Sequence, residues 1–466
     1  MSSLIYARQK TPISFNDFHQ EINLDDAEVW TAPDYSGQEK VLGYEMSGFS
    51  VPAGMEERVA FWLDIYTKYN TDQGLLHDSR YVPIIYETVD FTDIMVQQHL
   101  DARIKNKMRS QRVKDAKKRI QARLKKLSQL TSPAGLDGED LRYWYMFSKV
   151  DEPNKFNVAA KNGRLRFQLG QKDRFVEGIY HSGRYIKQME NIFRERHLPI
   201  ELTRLPFVES SFNLNARSRV GASGIWQFMR STGKQFMKID RAVDERNDPL
   251  TATEAAAKKL QKNFQMLGNW PLAVTAYNHG PYGMSRLVKK YKTDNLVEIV
   301  DIRRGRFGFA SASFYASFLA ALEAEKRAEK YFGVVFREKA LQADKLILNK
   351  SLSKQNLLQI FAQDQELAQK YNPHLQSYFW KGFVHLKKGH YISLPTQNFD
   401  GYLAKYKNIQ TPASLDATSG SYRIVQGDTL SQIAENFKIS LRTLMEANGI
   451  DDPRRIRVGQ QLIIPQ

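Results

Sequence analysis

Apolar residues recur at helical spacing through most of the chain, and β-like runs are short and concentrated towards its C-terminal side. Val59, Trp62, Leu63 and Tyr66 share one helical face. Residues 101–130 carry Ile104, Met108, Val113, Ala116, Ile120, Leu124 and Leu127 as a rough stripe among basic residues, which predicts a long amphipathic helix. Phe175, Ile179, Tyr185, Ile186, Met189 and Phe193 predict another over 172–194, and an Ala-rich helix follows 307–315, ending near Phe332. Tyr81 to Val89 is β-rich and suggests a short strand pair. Runs at 345–348 and 390–395 bracket a helix predicted over 354–370. Residues 1–50 show little periodicity and read as a mostly irregular arm. The pattern predicts a mainly α protein with small βααβ modules at its C-terminal side.

Breakers and caps sharpen the boundaries. Ser132-Pro133-Ala134-Gly135 ends the basic helix. Pro199 suits the first position of a helix that opens over 198–205, and Pro206 costs that helix one backbone bond, predicting a kink or tight last turn before Glu209. Thr251 with Glu254 three residues on reads as a capping box, which makes Glu254 structural. Asp244, Arg246 and Asp248 read as a turn-stabilising charge network. Small residues over 411–421 mark a linker.

Glu209 lies at the end of an apolar run, in Phe207-Val208-Glu209-Ser210-Ser211-Phe212. Burial beside these aromatics raises a carboxyl's pKa and keeps the proton a general acid must give. Nine residues on stands Ser218, in Ser218-Arg219-Val220-Gly221-Ala222-Ser223-Gly224-Ile225-Trp226-Gln227-Phe228-Met229, and later Ala276-Tyr277-Asn278-His279-Gly280. This ordered trio resembles the family 1 lytic transglycosylases of bacterial cell walls, which have a goose-lysozyme-like α catalytic domain. The run 244–249 and the Ala-rich helix after it resemble the membrane-bound lytic transglycosylase D branch.

The resemblance covers roughly 175–330 and implies a catalytic Glu209. It implies a Ser218 that positions the carboxylate or the substrate acetamide, and a subsite lined by Gln227 and Met229. Tyr277, Asn278 and Tyr315 would contact the sugar, and Phe228 with Met229 would help to exclude water. Gly221 and Gly224 serve backbone turns. The chain departs from the family twice. Ser311 stands where many relatives carry a glutamate, and His279 stands where a small residue is usual, at the rim of the site.

Towards the C-terminus, V-x-x-G-D-T-L-S-x-I-A, then A-N-G-I, then V-G-Q-x-L-x-I-P resembles a lysin motif (LysM), a βααβ module that binds N-acetylglucosamine chains. Thr429 with Gln432 reads as a capping box and Ser440 as the cap of the second helix. The resemblance makes Gly427, Asp428, Thr429, Asn448, Gly449 and Ile450 the glycan-binding candidates. The expected organisation is an accessory region over 1–170, a catalytic domain over 171–332, a degenerate LysM-like insert over 333–410, the linker 411–421, and LysM over 422–466.

Composition narrows the partners. The 466 residues carry a formal charge of +17, which favours a polyanionic partner. Peptidoglycan glycan strands fit, and residues 101–130 are a candidate face for an anionic membrane or wall surface. No nucleic-acid module is visible, so nucleic acid is not expected as a partner. The absence of cysteine excludes disulfides and thiolate metal sites, and neither a metal nor a cofactor is expected. The expected location is periplasmic or envelope-associated, although no export signal is visible at Met1–Arg8 and one would have been removed. Two alternatives share the fold: a hydrolytic muramidase, and a catalytically inactive scaffold that binds peptidoglycan.

Overall fold

The computed structural model describes residues 27–32, 49–161, 163–302, 307–409, 421–437 and 439–465. Most of the expected irregular arm and linker, 1–26, 33–48 and 411–420, lies outside them. Residues 27–29 of the arm form a strand, antiparallel to Phe336–Glu338. The chain divides into two compact units, Met1–Phe212 with Ala256–Lys339, and Asn213–Ala255 with Ala340–Gln466.

The first unit is built round the helix Phe309–Lys326. Residues 311–321 of it are apolar or small on all sides, and that stretch is buried all round. Helices Glu56–Thr67, Trp270–His279 and Leu205–Ser210 pack against it. A second core lies beneath the basic helix Ala102–Leu127, whose Ala116, Ile120, Leu124 and Leu127 are buried. There the strand Gln73–Asp78 pairs antiparallel with both Ile85–Asp90 and Leu165–Leu169. The expected strand pair near 81–89 is thus a three-stranded sheet, tied by buried Asp78 to Arg164 at 3.0 Å.

Two expected helices are each a pair. The span 172–194 is Lys172–Ser182 followed by Ile186–Glu195. At the break, a Cβ on Gly183 would lie 2.1 Å from the Glu338 carbonyl oxygen, so the Phe336–Glu338 strand runs against the turn. The span 354–370 is Lys354–Ile360 and Gln365–Tyr371, separated by Ala362 and Gln363 at positive φ and restarted by the Asp364 cap.

In the second unit, Ala343–Ile347 pairs antiparallel with Tyr391–Pro395. With helices Lys354–Ile360, Gln365–Tyr371 and Phe399–Asn408 they enclose a core that also takes in Ala242 and Val243. Residues 421–465 form a separate small core, with Ser421–Arg423 antiparallel to Gln461–Ile463 and helices Leu430–Asn436 and Leu441–Asn448 between. Thr429 and Ser440 cap these helices, accepting from the Gln432 and Thr443 amides. The mainly helical class with a βααβ module at the C-terminal side agrees with the sequence pattern. No described helix is long and apolar enough to cross a membrane.

Candidate active site

Glu209 sits in the last turn of a six-residue helix, Leu205–Ser210. The helix expected to open over 198–205 and run on past Pro206 instead opens as a 3-10 segment, Ile200–Arg204, feeding this α-helix. Pro206 falls in the α-helix's first turn, where a missing N–H breaks no intrahelical bond. Ser211 and Phe212 then take positive φ, 51° and 53°, which stops the helix abruptly. Their amides bond the carbonyls of Phe207 and Pro206 at 3.2 Å each.

Packing fixes this turn on several sides. Phe207 stacks on Phe175 at 4.7 Å and meets Phe212 edge-on. Gly178 lies so close that an added Cβ would be 2.8 Å from the Ser211 carbonyl oxygen. One step upstream, fully buried Arg204 donates from Nε to Oε2 of buried Glu325 at 2.8 Å and also pairs with Glu190. Glu325 bonds Arg337 as well. This network anchors the first turn of the Leu205–Ser210 helix to the central helix.

Part of Glu209 stays accessible, yet the protein atoms round its carboxyl push its pKa from 4.5 up to about 7, against the opposing pull of Lys259. Lys259 is desolvated in turn, which lowers its pKa to about 8 while Glu209 raises it. The Lys259 Nζ donates to the Tyr277 carbonyl at 2.9 Å and lies 3.6 Å from the centre of the Tyr277 ring. Burial and the Glu209 charge hold the phenols of Tyr277 and Tyr66 well above their usual range. The structure thus gathers Glu209, Lys259, Tyr277 and Tyr66.

Beside them, Asn278 is exposed and accepts from the Ser311 hydroxyl at 3.0 Å, and His279 Nδ1 lies 3.2 Å from the same hydroxyl. With the Ser311 proton committed to Asn278, His279 Nδ1–H is the donor to Ser311. Burial and Arg286 lower the His279 pKa. Tyr315 is 3% exposed, within the central helix's core.

Ser218, Gln227 and Met229 belong to the second unit, where the hairpin Ala222–Ser223 and Phe228–Met229 carries them. The Ser218 hydroxyl accepts the Ala222 amide at 2.8 Å, closing the approach to that hairpin. Gln227, at φ 47°, donates its amide hydrogens to the Ala216 and Gly224 carbonyls. Met229 is 41% exposed, whereas Phe228 is buried. Gly224 at φ 77° has no alternative, because a Cβ would meet the Arg246 carbonyl oxygen at 1.8 Å. Arg246 pairs with Asp244 at 2.7 Å and donates to the carbonyls of Gly221 and Phe228, so the 244–248 run does brace this hairpin.

The capping box at 251 is corrected: the Thr251 amide donates to Asp248 at 2.8 Å, and the helix Pro249–Leu267 begins directly after that aspartate. Glu254 is exposed on it.

In the βααβ module, Asp428 accepts from the Val425 amide and the Tyr422 hydroxyl. Asn448 bonds both the carbonyl and amide of Ile463. Gly427 and Gly449 take positive φ at the two loops, and the Ile450 amide bonds the Met445 carbonyl. A cavity of about 670 Å³ lined by Tyr378, Lys381, Arg442, Met445 and Gly449 belongs to the second unit, and Ser218, Gln227 and Met229 are not among its lining residues. Among the described residues no cluster of side chains suits a metal ion.

Residues 187–298 match the family of the Transglycosylase SLT domain, and residues 422–465 match that of the LysM domain. The chain carries both. It is 25% identical over 316 residues to the membrane-bound lytic murein transglycosylase D of Escherichia coli K12, covering 65% of this chain and 69% of that protein. A putative tributyltin chloride resistance protein of Alteromonas is 35% identical over 112 residues, 23% of this chain and 53% of that one. The N-acetylmuramoyl-L-alanine amidase XlyA of Bacillus subtilis is 50% identical over 46 residues, 10% of this chain and 16% of its own. Among solved structures, the 70 kDa soluble lytic transglycosylase SLT70 of E. coli matches with a TM-score of 0.28 and 16% identity, over 61% of this chain and 52% of that one.

Sequence reasoning missed Lys259 and the Arg204–Glu325 anchor. No local signal marks Lys259, which stands beside Lys258 and Lys262 on the same helix.

Proposed function

We propose that the protein is a peptidoglycan lytic transglycosylase held on glycan by its LysM module. It cleaves the β-1,4 bond between N-acetylmuramic acid and N-acetylglucosamine without water. The observation that carries this is the Glu209 carboxyl, whose pKa burial raises to about 7, inside the matched SLT domain. Glycan cleavage commonly uses two carboxylates, one as acid and one as nucleophile or base. Glu209's charged neighbour is instead a lysine. One group acting twice satisfies the chemistry.

Protonated Glu209 gives its proton to the glycosidic oxygen as the C1–O bond breaks, and the substrate's own N-acetyl group supports the positive charge at C1. The carboxylate then takes the proton of the C6 hydroxyl, whose oxygen closes on C1 to give a 1,6-anhydro ring. Glu209 ends protonated, and no water is consumed.

The motif resemblance assigns Ser218, Gln227, Met229, Tyr277, Asn278 and Tyr315 to the sugar. With the side chains of Asp428 and Asn448 engaged inside the module, the LysM surface offered to glycan is the backbone and neighbours at 427–429 and 449–450. The basic helix Ala102–Leu127 provides a second, electrostatic contact with an anionic wall or membrane surface, since Arg103, Lys107, Lys114 and Lys118 lie exposed on it. Envelope association follows from the substrate, with the periplasm as the compartment.

The test is turbidity clearing of purified sacculi. Glu209→Gln keeps the shape and loses the transferable proton, so clearing falls by about 10²–10⁴ while binding to sacculi persists. A chain shortened after Ile409 still cleaves soluble fragments but pellets less with sacculi. Equal clearing by Glu209→Gln contradicts the assignment.

A further inference from the structure

Lys259 is used by no step of that mechanism, and its surroundings are unusual for a lysine. Its Nζ reaches the Tyr277 carbonyl at 2.9 Å and lies 3.6 Å from the ring centre of the same residue. A hydrogen bond and a cation–π contact thus hold the ammonium against a residue of the A-Y-N motif. Neighbouring Lys258, on the same helix, is exposed.

We propose that Lys259 is a positioning residue for the reaction, its ammonium, held by Tyr277, stabilising the Glu209 carboxylate each time that carboxylate forms. The proposal rests on Glu209 being the acid and base described above.

The groups round Glu209 leave this role to Lys259. Tyr277 and Tyr66 face it from helices Trp270–His279 and Glu56–Thr67, and both phenols stay neutral across the working range. The central helix sends the Ser317 hydroxyl to Tyr66, while its own Glu323 and Glu325 pair with Arg327 and Arg204. On Lys172–Ser182, Asp173 bonds Thr71, and His181 lies 3.4 Å from Glu338. Lys259 is the charge that opposes desolvation at Glu209.

The consequence concerns both halves of the reaction. Proton donation leaves a carboxylate partly desolvated by the surrounding protein, at a cost that a fixed opposite charge reduces. The Lys259 charge also lowers the acid's pKa, making it a better donor to the leaving oxygen. The ammonium keeps its proton throughout, so the atom balance of the two steps is unchanged.

The experiment compares Lys259→Met and Lys259→Arg with wild type in pH profiles on a soluble glycan fragment. It adds an infrared titration of the protonated-carboxyl band that disappears in Glu209→Gln. Activity requires protonated Glu209 and falls as pH rises through its pKa. In Lys259→Met the alkaline limb and the band's midpoint should both move up by about one unit or more. The same variant should lose roughly tenfold in kcat at neutral pH with KM nearly unchanged. Lys259→Arg should retain both midpoints near wild type. If Lys259→Met does not fold, Lys259→Gln serves in its place. A folded charge-removed variant with unmoved midpoints overturns the proposal. If Glu209→Gln still cleaves, the underlying reading has failed instead.

Discussion

The central residue, Glu209, is held in a state that costs the fold stability. Its carboxyl keeps a proton to about pH 7 in the native protein, against 4.5 for an ordinary glutamate. Between those values the native state binds the extra proton, so stability falls as pH rises through that window. Glu209→Gln removes the penalty. The variant should be more stable than wild type at pH 8, on the order of 1–2 kcal/mol because Lys259 loses its counter-charge. At pH 4.5 the gain should vanish. Denaturant unfolding at the two pH values checks this, and equal gains at both would contradict a native carboxyl that titrates near neutrality. Glu209 was legible in the sequence because apolar neighbours and the two following motifs fix its position. Lys259 was not: a lysine in Lys258-Lys259 reads as a solvated helix face, and only tertiary packing directs one of the pair inward.

Among elements, the short helix Leu205–Ser210 depends on what surrounds it, since six residues do not sustain a helix alone. Its anchor joins Arg204 to Glu325 across 121 positions, and no local pattern announces such a pair. Removing one partner strands the other, which costs about 3–5 kcal/mol when both are buried. Arg204→Met should therefore lower Tm by roughly 5–10 °C and lose activity with the fold. An unchanged Tm would mean that Arg337 alone satisfies Glu325. The helix start at 249 was readable and misread. Asp248-Pro249-Leu250-Thr251 holds two cap-type residues, and proline's preference for the first helical position selects Asp248. The breaks at Gly183 and at Ala362–Gln363 were not readable, because apolar periodicity continues through both and the causes are a strand pressed on Gly183 and a left-handed turn.

At the scale of the whole molecule, the sequence specified the mainly helical class and the LysM module, because V-x-x-G-D-T-L-S and A-N-G-I coincide with caps and turns that the structure uses. It did not reveal that 213–255 shares a compact unit with 340–466, since that grouping arises from packing between distant segments such as Val243 with Leu375. The central claim is that one carboxyl acts twice and the sugar's own C6 hydroxyl is the acceptor. Its most direct test is mass spectrometry of muropeptides released from purified sacculi, with and without borohydride reduction. Ring closure by the C6 hydroxyl should leave muramyl ends one water lighter than hydrolytic products and inert to borohydride. Predominantly reducible muramyl ends would contradict it and make the protein a hydrolase that holds a water against a second base.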